Sequence, residues 1–447
     1  MGFRISPSLF IEDDLAEELV GLYFRYVHVA FHNIFHQPSV EAGLRTRTLP
    51  TILLLFMASL SGRFSTHLSL AEIPIRERGL PYWMEAEQLI DFYSTSLLTI
   101  QACIMAAAYL SIEGDANSES VFLSVACRMA LVLDLPNSAV ETRLERDLNL
   151  RVWWSLIAVD TWSSGSHQIP RALPVRHDVP LPMDEHAFAN VRPDEPVGDA
   201  DSPKSPFVDP EPSIFAQMIP LNQLLYRILD FSSQVLLNPA DTNIADGTKE
   251  LCTSLEDWYD QLPPSLKYTP ENHSLWARKG SGRKYTILHI NHHYAGQLLF
   301  FRFLYICQQR SDLPANDPRQ LYAAKCKAHA ASLCELLQRA DDTPGSEVRY
   351  PLIAHLLVVT SAIQLFTLLF SPDEEDISRA KQRLEQNFGR LSRLRKYWPN
   401  LDASVAKFET FHLACKAGEL DVFRMDRWLL EFMLDYTQGV SKRREND

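Results

Sequence analysis

The residues in this chain most able to do chemistry are its 14 histidines, several of which are clustered. His28, His32 and His36 stand four apart. On an α-helix that spacing puts three imidazoles on one face, where His-x-x-x-His can hold zinc. No acid lies between them as in a His-Glu-x-x-His protease, no remote fourth ligand can be nominated, and Pro38 sets His36 near or past the helix end. His289, His292 and His293 form a second cluster on a helical stretch. For both clusters the expectation is surface or partly buried histidines and no metal. The seven cysteines, at 103, 127, 252, 307, 326, 334 and 415, contain no Cys-x-x-Cys, which excludes zinc ribbons, fingers and thiol redox motifs. Scattered on apolar stretches, they suit buried free thiols in a reducing compartment.

Asp13-Asp14-Leu15-Ala16-Glu17 spells the Asp-Asp-x-x-Glu of class I terpene synthases, where carboxylates one turn apart hold magnesium against a diphosphate. The match is short, has no second magnesium motif, and reads equally as acids in a first helical turn. A Gly-x-Ser-x-Gly elbow, a phosphate loop and Gly-x-Gly-x-x-Gly are all absent. Lys279-Gly280-Ser281-Gly282-Arg283-Lys284 is a basic turn able to touch a phosphate, and Lys442-Arg443-Arg444 is a weak nuclear-signal candidate. No catalytic residue and no metal ligand is assigned, so no enzyme is expected.

The elements that must position these groups read as helices. Of 447 residues 46% are hydrophobic, which excludes a disordered chain, and glycine numbers only 16, which disfavours tight-turned sandwiches and propellers. Lys plus Arg is 43 against 56 Asp plus Glu, a net charge of −13 that argues against wrapping nucleic acid by bulk charge. Helical periodicity predicts elements over 13–35, 49–60, 81–110, 118–133, 141–162, 215–237, 248–262, 285–308, 318–340, 351–370, 377–397, 403–413 and 422–436. Phe92 to Ile112 and Pro351 to Phe370 carry no charge, but their polar residues and missing aromatic belt mark buried core helices over membrane spans. The fold class expected is all-α, a large multi-helix regulatory domain packed in one compact unit. Residues 1–192 form an N-terminal helical half and 213–440 a C-terminal one. Between them, 193–212 has six prolines and six acids against one lysine, the composition of a flexible loop, and 441–447 is a charged tail.

Leu98-Thr99-Ile100-Gln101-Ala102, then Tyr109-Leu110 and Gly114, then Ala126-Cys127-Arg128-Met129-Ala130-Leu131 resemble the fungal-specific transcription factor domain. This is the middle homology region of fungal regulators that carry a binuclear six-cysteine zinc cluster. Arg151-Val152-Trp153-Trp154, Asp160 and Asp178-Val179-Pro180-Leu181-Pro182 extend the likeness, as do Tyr23-Phe24, His36-x-Pro38-Ser39 and Trp398-Pro399. Three motifs depart: Leu-Gly-Leu-His is Leu133-Asp134-Leu135-Pro136, the Gly-Arg-Pro turn is replaced by Gln168-Ile169-Pro170-Arg171, and the opening motif's His-Pro is His28-Val29. The six cluster cysteines are absent from this chain, so no zinc or other cofactor is expected in it and no DNA-binding residue is assigned.

The resemblance implies a nuclear regulator of RNA polymerase II transcription, pathway-specific and effector-sensing. Its implied partners are a small-molecule effector, a second copy or a zinc-cluster protein, and the transcription machinery; DNA is reached only through a separate head or partner. The alternatives are a terpene-synthase-like enzyme and an accessory regulator without its own DNA-binding head. Gln101, Ala102, Arg128, Arg151, Trp153, Trp154 and Asp160 are expected to be mainly structural. The tryptophans fill core or, on the second reading, wall an effector pocket. Arg128, Arg151 and Asp160 are expected to share a buried ion pair, because charges on such apolar helices need one.

Overall fold

Several helices in this protein start where the sequence supplies a cap. Ser96, Asp115, Asp184, Thr269, Asp317, Asp373 and Asp426 each accept a hydrogen bond from a backbone N–H two or three residues on, satisfying donors that a helix leaves open. The computed structural model describes residues 2–4, 9–28, 32–174, 176, 178–197, 212–238, 243–310, 312–314, 316–416 and 420–435. Residues 198–211 of the acidic segment and the 441–447 tail lie outside them. The architecture is all-α, with strand confined, among the described residues, to a short antiparallel hairpin, β1 (Gly2–Arg4) and β2 (Phe10–Glu12).

The chain divides into two compact units, Met1–Ser164 with Pro170–Ile219, and Gly165–Ile169 with Pro220–Asp447. The first holds the hairpin and α1 (Asp13–Tyr26), α2 (Gln37–Thr46), α3 (Thr51–Ser61), α4 (Leu80–Gln88), α5 (Leu97–Glu113), α6 (Ala116–Val132), most of α7 (Arg143–His167) and α8 (Glu185–Asn190). Helix α3 lies at its centre, buried along almost its whole length and packed against α1, α4 and α5. Helix α9 (Ile214–Leu237) begins in this unit and continues into the second past Pro220, whose ring removes one helical hydrogen bond. The acidic segment is tied at its start: Arg143 N–H donates to Glu195 C=O (2.8 Å) and Val197 N–H to Glu141 C=O (3.1 Å).

Three sequence expectations change in this unit. The first helix ends at Tyr26, not Phe35, and residues 32–36 are non-helical. Pro38 opens α2 rather than closing its predecessor, as suits a residue with no N–H to satisfy, and Gly43 lies inside α2, with the Leu49 backbone 3.3 Å from where a Cβ would be. The expected helix from Pro81 to Leu110 is two, because Ser96 restarts the helix at α5; Gly114, at φ +84°, then closes it as a left-handed cap.

The second unit continues with α10 (Ile244–Asp260), α11 (Pro270–Arg278), α12 (Gly282–Phe300), α13 (Arg302–Gln309), α14 (Pro318–Asp342), α15 (Leu352–Phe370), α16 (Glu374–Arg395), α17 (Leu401–Lys416) and α18 (Arg427–Leu434). Helix α15 is its core and packs on α14, α16 and α17. Among the described residues it is the one helix long and apolar enough to cross a membrane, and 78% of its most apolar window is buried within the fold. Its polar groups bond to protein: Thr360 donates to Gln297 (3.0 Å), and Asn387 donates to Ser361 (3.1 Å). The expected 285–308 helix breaks at Phe301 into α12 and α13, and the last helix starts only at Arg427, capped by Asp426, after a 3-10 turn at Leu420–Phe423.

Candidate functional site

Helix α7 carries the Arg-x-Trp-Trp motif, and its polar side chains hold the returning chain along it. Asp147 and Arg151, one turn apart, form an ion pair (Nε to Oδ2, 2.6 Å) with both side chains almost fully buried. Asp147 accepts from Met183 N–H (2.7 Å), and Arg151 donates to Met183 C=O (2.6 Å). Further along, Trp154 Nε1–H donates to Pro180 C=O (2.9 Å), and Asp160 accepts from the N–H groups of Ala172 (3.2 Å) and Leu173 (2.9 Å). Backbone at 172–173, 180 and 183 is thus satisfied at 160, 154 and 147/151, in antiparallel order. This is why the motif and the Asp-Val-Pro-Leu-Pro exit belong together: a proline-rich segment cannot pair as a strand, so side chains satisfy its buried carbonyls. The guanidinium of Arg151 also lies 3.9 Å from the centre of the Phe188 ring. Burial pushes the Asp147 carboxyl up, against the pull of Arg151 and Met183 N–H.

The expected ion pair of Arg128, Arg151 and Asp160 is therefore corrected. Arg151 takes Asp147, Arg128 is exposed on α6, and Asp160 caps backbone N–H groups. Trp153 is 1% exposed and fills core, with the Arg176 guanidinium 5.9 Å from its ring centre. Ala102 is buried within α5, and Gln101 donates to Ile34 C=O (2.8 Å). That bond belongs to a second device. The non-helical stretch 32–36 is held by side chains: Asn33 N–H donates to Ser155 Oγ (3.0 Å), and Phe35 N–H to His28 Nε2 (3.1 Å). His32 Nε2 meets the Tyr23 hydroxyl (2.6 Å), and His36 Nδ1 the Ser39 hydroxyl (2.7 Å). His28, His32 and His36 do not lie on one face of α1, which ends at Tyr26, and His32 and His36 stand in the non-helical stretch 32–36; all three are buried histidines bonded to protein.

Asp13 is paired with Arg47 (3.0 Å), Asp14 accepts from His67 (3.2 Å), and Glu17 is exposed, so the Asp-Asp-x-x-Glu carboxylates serve as first-turn acids. The basic turn 279–284 joins α11 to α12. Gly280 is left-handed at φ +76°, and Arg283 is tied to Glu347 (2.9 Å). Lys442, Arg443 and Arg444 lie outside the described residues. His289 is buried and bonds Leu266 C=O (2.9 Å), and burial lowers its pKa to about 4. His292 and His293 meet His329 of α14, a partner that sequence distance concealed.

A cavity of about 560 Å³ opens in the second unit between α14, α15 and α16. Its wall includes Asp341, Arg349, Arg390, Arg393 and Lys396 over an apolar floor of Leu337, Ile353 and Leu357. Arg390 is 5% exposed and bonds Asp341 (3.0 Å) and Gln338 (2.8 Å), while its Nη1 has no hydrogen-bond partner. Arg393 also reaches Asp341 (2.8 Å), so one carboxylate faces two guanidiniums. An apolar floor, excess cationic wall and unsatisfied buried donor are what an anionic small molecule needs. Nothing in the sequence singled out Arg390, since α16 is charged along most of its length.

Residues 20–260, more than half of the chain, match the family model of the fungal specific transcription factor domain, and the chain belongs to that family. It is similar to an uncharacterized transcriptional regulatory protein of Schizosaccharomyces pombe, 24% identical over 439 residues that cover 88% of this chain and 51% of the relative. It is also similar to a Zn(2)-C6 fungal-type transcription factor, FTF1c, of Fusarium oxysporum f. sp. lycopersici, 23% identical over 418 residues, 86% of this chain and 44% of the relative. The chain spans about half the length of these curated relatives. No solved structure matches it. The family and these names support a transcription regulator and not the terpene-synthase alternative.

Proposed function

We propose that this chain is the regulatory region of a nuclear, pathway-specific transcription regulator, and that it changes transcription in response to an anionic small molecule bound in the α14–α16 cavity. The observation that carries the ligand class is Arg390: a buried guanidinium with an unpartnered Nη1 on the wall of a 560 Å³ cavity, in a chain whose net charge is −13. Family membership supports the transcriptional role. DNA is reached through a zinc-cluster head or a partner chain, because these residues hold no six-cysteine cluster and their basic runs, Lys279–Lys284 and Lys442–Arg444, are short.

The test fuses the full chain to a heterologous DNA-binding domain with a reporter gene in fungal cells. The expected outcome is a reporter response that Arg390→Gln alters, with the purified chain showing a thermal shift on a panel of carboxylates and phosphates. A fusion that never moves the reporter, with wild-type folding confirmed by circular dichroism, refutes the regulatory reading. Shifts unaffected by Arg390→Gln refute the cavity.

A further inference from the structure

Helices α12 and α14 pack along each other, and where they meet three imidazoles converge. His292 and His293 come from α12 and His329 from α14. Their ring centres lie 5.1 Å (292 to 293), 5.3 Å (292 to 329) and 5.4 Å (293 to 329) apart. One nitrogen of each ring lies within 4.8 Å of one nitrogen of each of the others. The Nδ1 atoms of His293 and His329 are 3.1 Å apart. Two nitrogens bound to one tetrahedral zinc at ~2.0–2.1 Å would stand ~3.3 Å apart. The His292 ring is buried, and its Nδ1 has no hydrogen-bond partner, a state that buried nitrogens rarely keep.

The surroundings hold the rings in place. Trp258 and Tyr259 of α10 stack on His292 at 5.3 and 5.0 Å, and Phe300 stacks on His329 at 6.1 Å. Gly296, one turn beyond His292, is where the His329 ring enters: a Cβ there would overlap that ring. Glycine in a helix interior costs about 1 kcal/mol relative to alanine, so its place here is explained by the ring it admits. The charges near His329 are Glu256 and Lys325, which pair with each other, and Lys325 Nζ also lies 3.3 Å from Cys252 Sγ. Burial keeps all three imidazoles neutral at pH 7, helped by repulsion from neighbouring histidines at His292 and His293 and from Lys325 at His329; the neutral form is the one whose lone pairs bind a cation without displacing a proton.

We infer that His292, His293 and His329 form a binding site for one divalent first-row transition-metal ion, zinc being the probe, that clamps α12 to α14. Three imidazoles suit zinc, copper and nickel, not calcium or magnesium, and they leave one tetrahedral position for water. The sequence expectation of no metal rested on having no remote ligand to nominate; His329, 36 residues away, is one. The inference does not rest on the effector reading, which concerns different residues.

The test uses the full chain, stripped with a chelator and titrated with zinc against a chromogenic competitor. One zinc per chain is expected, with a rise in Tm on binding. His293→Ala and His329→Ala should weaken binding by more than the about 10–100-fold that loss of an outer-shell partner produces, while His67→Ala should not. His67 is the control because Glu12, Asp14 and His67 are a second, mostly exposed group of possible ligands. No binding, binding unaltered in both cluster variants, or binding lost with His67 overturns the proposal. Should a variant fail to fold, X-ray absorption at the zinc edge of the wild-type chain decides: three imidazole nitrogens uphold the site, and fewer overturn it.

Discussion

Arg151→Met is the most informative single change in the α7 network. Methionine keeps the apolar stem but removes the charge beside Asp147, the donor to Met183 C=O and the cation over the Phe188 ring. Arg151 is fully buried and Asp147 is 3% exposed, so the remaining carboxylate cannot be rescued by water. Breaking a buried pair from one side costs about 3–5 kcal/mol, and the orphaned Met183 carbonyl falls within that figure. Replacing both partners, Arg151→Met with Asp147→Leu, removes the stranded charge but leaves Met183 N–H and C=O unsatisfied, at about 1–3 kcal/mol each. The double variant should therefore be about as stable as the single, and because Asp147→Leu alone strands the buried guanidinium at a similar cost, the coupling should be about 3–5 kcal/mol. The single variant also has a pH signature. Burial already raises the Asp147 carboxyl, and loss of Arg151 raises it further, so its folded value stands above its unfolded one. Its ionised form then penalises the fold as pH rises through the unfolded value, and the deficit of the single variant should shrink on acidification. Urea unfolding of wild type, both singles and the double at two pH values measures all of this. A loss below about 1 kcal/mol for Arg151→Met, or strict additivity, would refute the argument that this pair holds the 172–183 return.

Gln168, exposed and at φ +54°, sits where the resembling family carries the glycine of Gly-Arg-Pro, so Gln168→Gly should stabilise by about 0.5–1 kcal/mol, the left-handed penalty less glycine's entropy; no rise in Tm would count against it. Stability should fall as pH drops from 6.5 towards 4: burial lowers His32 and His355 to about 3 and His289 to about 4 from 6.5, so the unfolded chain takes up protons that the folded chain refuses. The slope approaches ~1.4 kcal/mol per pH unit for each such histidine, is absent above 6.5, and is read from unfolding midpoints across that window. Gly282→Ala should destabilise by about 1–3 kcal/mol, because a Cβ there meets Ala277 Cα at 2.9 Å and Gly345 O at 3.0 Å; an unchanged Tm would show that the α11–α12 turn yields easily.

How much of the site was legible follows from the range of each interaction. Asp147 lies one turn before Arg151, so their pairing was available to an i,i+4 reading, yet Asp160, also on α7, was expected instead because it belongs to the motif. His329 and Arg390 carried no local signal at all. A histidine in an unremarkable helix becomes a ligand only when another helix brings two more beside it, and a guanidinium becomes an anion site only when its neighbours leave one nitrogen unmet.

The sequence alone determined what depends on neighbours within a turn or two. Apolar periodicity and scarce glycine made the chain all-α, Ser96 and Gly114 bounded α5, and the spaced motifs from Gln101 to Pro182 marked the family. Only tertiary structure decided where periodicity yields to packing. The first helix stops at Tyr26, although apolar spacing continues, because buried 32–36 backbone finds Gln101, Ser155 and His28 as partners. A backbone group satisfied by a side chain more than 60 residues away needs no helix of its own, and no local pattern can announce that partner.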